Sequence, residues 1–163
     1  MSIEKARQHL RSWGMEGRIR EFSRSSATVA LAAEALGCDP ARIAKTLSFR
    51  VDGRPVLIVA AGDARVDNAL FRARFRCKAK MLRAEEAEEC IGHAVGGICP
   101  FGIKEGVDVY LDESLRRFST VFPACGSASS AIELSIGELE QCSRSAGWVD
   151  VCKDWRESAA RSG

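Results

Sequence analysis

The chain has 163 residues, 46% of them hydrophobic and 28% charged, with a formal net charge of +2. That suits one globular domain, excludes a disordered chain, and provides no strong global attraction to nucleic acid, so any RNA binding has to come from a local patch. No apolar run approaches the roughly eighteen residues of a membrane span, and residues 1–11 carry charges at Glu4, Lys5, Arg7 and Arg11 without an apolar signal core. The expected location is the cytoplasm, with neither membrane nor DNA as partner.

Ile3, Ala6, Leu10 and Trp13 recur at helical spacing, so residues 3–13 read as a helix that Gly14 can end. Residues 18–22 suit a short strand. Ser26 or Thr28 can cap the next helix, residues 29–36, which Gly37 closes, and Pro40 then opens a turn. Residues 47–51 and 56–61 read as two strands joined at Asp52-Gly53, a strong hairpin signal. The second of them, VLIVAA, lacks polar alternation and is expected to be central, buried on both faces.

If the first strand has begun by position 45, Lys45 shares a face with Leu47, Phe49 and Val51. An ammonium on an apolar face is costly to bury unpaired, so it snorkels to water, finds a carboxylate, or lines a cleft that receives an anion.

Residues 67–75 suit a helix, 76–81 a short strand with Cys77, Ala79 and Met81 on one face, and 84–91 a helix ending at Gly92. Between positions 65 and 83 lie Arg65, Arg72, Arg74, Arg76, Lys78, Lys80 and Arg83, opposed within the span by Asp67 alone. They are either a solvated face neutralised by Glu85, Glu86, Glu88 and Glu89 or a patch for a polyanion, in which Arg72, Arg76, Lys78 and Lys80 are the candidate contacts.

Residues 96–102, GGICPFG, hold three glycines and a proline, so they can be neither helix nor interior strand. Such a loop either connects two elements or cradles a phosphate or an oxyanion with its N–H groups. A connector with ordinary φ tolerates alanine at Gly97; a cradle does not. Beyond it, residues 107–111 read as a strand, 113–118 as a helical turn, 124–130 as a hydroxyl-rich turn, 131–136 as a strand, 137–145 as a helix and 148–152 as a final strand. Hydroxyls in such turns commonly bond their own backbone, which is the alternative to a ligand role for Ser127 or Ser129. Residues 1–155 form one domain and 156–163 a polar tail.

The seven cysteines are odd in number and contain no C-x-x-C pair, and only His9 and His93 supply imidazole, so neither a disulfide framework nor a metal centre is expected. The pattern is mixed α/β (α+β), about seven short strands with surrounding helices, and it contains neither G-x-G-x-x-G nor a Walker loop.

Three blocks together, Ala44-Lys45-Thr46-Leu47, residues 96–102 and residues 124–134 (ACGSASSAIEL), resemble the YbaK family of free-standing aminoacyl-tRNA deacylases, akin to the editing insert of bacterial prolyl-tRNA synthetase. The resemblance spans residues 18–151 and implies a curved, partly barrel-like mixed sheet with the lysine and glycine loop flanking one cleft. It implies a trans-editing hydrolase acting on mischarged aminoacyl-tRNA, chiefly tRNA(Pro) carrying a small non-cognate residue such as alanine or cysteine. Lys45, Gly96, Gly97, Ile98, Cys99 and Pro100 would be catalytic, and Thr46, Phe101, Gly102, Gly126, Ser127 and Ser129 would bind substrate. The substrate's own ribose hydroxyl would help activate water, without cofactor or metal. The expected partners are the charged tRNA and, as a further candidate, prolyl-tRNA synthetase, with the protein a monomer or weak homodimer. Cys99 departs from the hydroxyl residue many relatives carry. The alternatives are a Cys99 thiol or redox protein, or a non-catalytic RNA-binding or synthetase-associated module.

Overall fold

In the computed structural model, residues 2–156 are described. The helices are α1 (Ser2–Arg11), α2 (Val29–Leu36), α3 (Asn68–Phe75), α4 (Ala84–Ile91) and α5 (Ile136–Cys142). The strands are β1 (Arg20–Glu21), β2 (Ile43–Val51), β3 (Arg54–Ala61), β4 (Arg65–Val66), β5 (Asp108–Asp112), β6 (Thr120–Pro123), β7 (Ser130–Ala131), β8 (Leu134–Ser135), β9 (Gly147–Val149) and β10 (Cys152–Lys153). Six form one curled, half-barrel sheet in the order β8-β6-β2-β3-β5-β9, while β1 pairs with β7 and β10 with β4.

Local chemistry accounts for the elements that frame the sheet. Asp52 and Gly53 both take positive φ, 50° and 78°, which matches the twist of the tight antiparallel turn from β2 to β3. The Thr28 hydroxyl accepts from the Leu31 N–H at 3.2 Å, and Gly37 closes α2 with a left-handed φ of 68°. From Val56 to Ala61 every residue of β3 is buried, between β2 on one side and β5 on the other, as its unbroken apolar run requires. Phe71, Phe75, Leu111, Leu115, Ile132 and Leu139 pack into the same core.

Several expected strands are different. Residues 76–81 contribute a single bridge, Met81 to Phe49, with hydrogen bonds from Arg50 N–H to the Lys80 carbonyl (3.0 Å) and from Leu82 N–H to the Ser48 carbonyl (3.1 Å). The segment reaches β2 only at its end, so its alternation reflects half-burial of Cys77 and Ala79 without a ladder. Residues 131–136 break into β7 and β8 because the chain changes partner, from β1 to β6. Residues 148–152 likewise divide between β9, paired with β5, and β10, paired with β4. Residues 18–22 retain only β1, since Glu16–Arg18 coils into a 3₁₀ turn. Of the expected polar tail, Arg156 pairs with Asp150 at 2.8 Å, and residues 157–163 lie outside the described residues.

Candidate functional site

β2 carries the site because its outer edge is only partly covered. β6 pairs with it at Ile43 and Ala44 alone, and the backbone of residues 80–82 returns only at Ser48 and Arg50. Thr46 has the same parity as Ser48 and Arg50, so its peptide groups face the gap between these two covers. A cleft of about 250 Å³ opens there, with Lys45, Thr46, Gly96 and Ile98 on its walls, Ala44, Phe122 and Ala131 behind them, and Met81 and Val95 at its margin. Met81 and Val95 are 55% and 63% exposed, the two most exposed large apolar side chains among the described residues.

The Lys45 ammonium donates to the Ala64 carbonyl and forms no ion pair among the described residues. The nearby Asp63 is held by Arg117 in a two-pronged ion pair. Burial lowers the Lys45 pKa below its ordinary value; Arg65 adds to that shift while Asp63 and Asp112 oppose it. A half-buried cation without a carboxylate partner is therefore held at the cleft by β2 and the turn after β3. Among the described residues the enclosed Thr46 hydroxyl has no hydrogen-bond partner, and a buried polar group of this kind calls for a functional explanation.

The glycine loop reaches the cleft through Gly96 and Ile98. Gly97 N–H donates to the Ala94 carbonyl at 3.0 Å and Gly102 N–H to His9 Nδ1 at 3.0 Å, whereas among the described residues the N–H groups of Gly96 and Ile98 have no partner. Gly96 has a φ of 99°, in the region that favours glycine. A β-carbon on Gly102 would come within 2.4 Å of the Lys5 carbonyl oxygen, so Gly102 is where the loop seats on α1. His9 clamps that joint, because its Nε2 lies 2.6 Å from the Cys142 carbonyl. The loop's inner side is buried: Cys99, Pro100 and Phe101 face the core, and His93 Nε2 lies 2.7 Å from the Phe101 carbonyl. Enclosure pushes the Cys99 thiol up to about 12, so it is no thiolate nucleophile at neutral pH.

The second turn packs on the first, with Gly126 at a φ of 89°. The Ser127 hydroxyl donates to Ser130 Oγ at 2.9 Å and accepts from Ser129 N–H at 3.3 Å, so it braces its own turn. Ser130, with Ser26 and Thr28, contributes to the cleft wall instead. Sequence reading missed these three and Met81. The three serines at 127, 129 and 130 marked the turn, but nothing local indicated which of them faced the cleft. Of the basic residues, Arg72, Arg76, Lys78 and Lys80 are exposed and outside the cleft.

A curled mixed sheet with an uncovered strand edge, a cation without an ion pair among the described residues and two apposed glycine turns defines a small α/β domain with a cleft at its rim. The chain belongs to the aminoacyl-tRNA editing domain family, whose model matches residues 24–142. It is 54% identical over 156 residues to the uncharacterized protein YwhH of Bacillus subtilis, covering 95% of this chain and 99% of that one. It is 30% identical over 95 residues to a proline–tRNA ligase of Limosilactobacillus fermentum, which covers 55% of this chain but only 17% of the ligase. A solved structure described as a candidate trans-editing enzyme for prolyl tRNA synthetase superposes with a TM-score of 0.85 at 25% identity, covering 94% of this chain and 98% of that one.

Proposed function

We propose that the protein is a free-standing deacylase that hydrolyses the ester of a mischarged aminoacyl-tRNA, chiefly tRNA(Pro) bearing a small non-cognate residue. The observation that carries this reading is the convergence of Lys45, Gly96 and Ile98 on one cleft at the uncovered edge of β2. Lys45 anchors a phosphate or the terminal adenosine, for which an unpaired ammonium is suited. The unpartnered N–H groups of Gly96 and Ile98 are the candidates to hold the ester carbonyl and the oxyanion that forms on it. Water adds to that carbonyl, its proton is relayed through the ribose hydroxyl that family resemblance implicates to the departing sugar oxygen, and the bond between that oxygen and the carbonyl carbon breaks to release the amino acid. The small cleft, backed by Phe122 and Ala131, favours a short side chain, and this discrimination is what a synthetase pocket lacks, since one methylene is worth only about 1–3 kcal/mol.

The test is a deacylation panel with purified protein and no added metal, on tRNA(Pro) charged separately with alanine, cysteine, serine, 2-aminobutyrate and proline. Hydrolysis of one or more of the first four with proline spared supports the reading. Tight binding of charged tRNA without turnover on any of them sinks it in favour of a binding module.

A further inference from the structure

A second depression adjoins the cleft across β2. It encloses about 380 Å³ between Arg65 and Asn68 on one side and Ala79 and Met81 on the other, and it shares Lys45, Leu47 and Met81 with the cleft. The two therefore form one trough that crosses the open strand edge at the Lys45 ammonium.

The chemistry along this trough is asymmetric. Arg65 is exposed and has no ion pair among the described residues. The carboxylates around it are engaged elsewhere: Asp67 accepts from the Leu70 N–H at 2.9 Å and lies 3.8 Å from Lys153, and Asp63 is held by Arg117. Two cations, Lys45 and Arg65, thus border the trough without direct counter-charge. The facing wall belongs to the segment that carries exposed Arg76, Lys78 and Lys80, while Leu47 and the largely exposed Met81 supply apolar surface. Positive charge beside an apolar platform fits a flexible polyanion with flat apolar groups, which describes a single-stranded nucleic acid.

We propose that the groove between Arg65 and Met81 binds the unpaired nucleotides just upstream of the aminoacylated adenosine, with a phosphate on Arg65 and a base against Met81 and Leu47. This rests on the deacylase reading above, and it gives the RNA a direction: the strand enters beside residues 76–80, crosses β2 at Lys45, and delivers its ester into the cleft. Base contact with a thioether and a leucine is sequence-tolerant, so the groove positions the strand without selecting the tRNA.

The test has a binding arm and a kinetic arm, using Arg65→Ala and Met81→Ala, both at exposed positions where the fold should be retained. The binding probe is the single-stranded trinucleotide cytidine-cytidine-adenosine. Both variants should weaken its binding several-fold, and Arg65→Ala should reduce the slope of log Kd against log salt by about 0.7, the share of one phosphate contact on a single strand. In the kinetic arm, Arg65→Ala should raise KM for charged tRNA more than for the 3′-aminoacyl ester of adenosine, which lacks the upstream phosphates. Unchanged trinucleotide affinity and salt slope in both variants overturn the groove. Equal losses on the two substrates overturn it as well, because Arg65 would then act on the terminal nucleotide. Trinucleotide binding that falls in the variants of a protein inactive on every ester supports the groove while removing the deacylase reading.

Discussion

Gly97 stands so close to Ser127 that a β-carbon on Gly97 would lie 2.7 Å from the Ser127 backbone nitrogen and 2.8 Å from its Cα. Its φ is not in the left-handed region, so alanine is excluded by space alone. Gly97→Ala should push the two turns apart, lowering stability by about 1–3 kcal/mol as other overpacked sites do and lowering turnover with it. A β-carbon on Gly137, in α5, would meet no heavy atom within 4 Å, so Gly137→Ala should instead stabilise by about 0.5–1 kcal/mol. Thermal melting of the two variants side by side checks both signs, and a Gly97→Ala protein with wild-type melting and turnover contradicts the close approach.

Lys45→Ala should lower deacylation on the order of a hundredfold, the worth of about 2.7 kcal/mol of transition-state stabilisation. Lys45→Arg should rescue poorly, since a planar fork does not replace a compact ammonium. Melting should move the other way. The folded pKa of Lys45 is lowered by burial, so the fold carries a penalty at neutral pH that is relieved as pH rises through that lowered value toward 10.5. Lys45→Met should therefore melt no lower than wild type at pH 7. Wild-type turnover in a folded Lys45→Ala protein removes the lysine from the mechanism.

His9 accepts from Gly102 N–H through Nδ1 and faces the Cys142 carbonyl through Nε2, which requires the neutral ring with its proton on Nε2. Burial lowers its pKa, and burial does the same to His93. A base with a depressed folded pKa leaves the fold at full stability above its unfolded value of about 6.5 and destabilises it as pH falls from there through the folded value. The melting temperature should thus fall below about pH 6.5, and His9→Gln should flatten part of that fall while lowering the plateau above it. A melting profile that is level from pH 7 to 5 contradicts the assignment.

Cys99 is fully buried and its thiol lies at about 12. Iodoacetamide applied to the native protein should label the partly exposed Cys38, Cys77 and Cys90 ahead of it, with deacylation retained. Mass spectrometry of the labelled peptides, with activity measured on the same sample, decides this; inactivation tracking Cys99 labelling would revive the thiol alternative.

Arg72 and Arg76 are exposed on and after α3. Reversing both to Glu should raise KM for charged tRNA and flatten its dependence on salt, with kcat little changed. A solvated face shows neither effect.

The sequence by itself determined whatever depends on neighbours a few positions away. Asp52-Gly53 specifies the β2–β3 turn because both residues tolerate positive φ, Thr28 and Gly37 bound α2 by satisfying its end groups, and VLIVAA announces a strand buried on both faces. Lys45 on an apolar face and glycine spacing at 96–102 were visible for the same reason. Tertiary structure alone decided the rest. The division of residues 131–136 and 148–152 depends on which distant strand each half meets. The cleft exists because β6 leaves β2 after two residue pairs and residues 80–82 return only at Ser48. That Gly97 needs no side chain is dictated by Ser127, far along the chain, since steric exclusion between two loops belongs to neither one's local pattern.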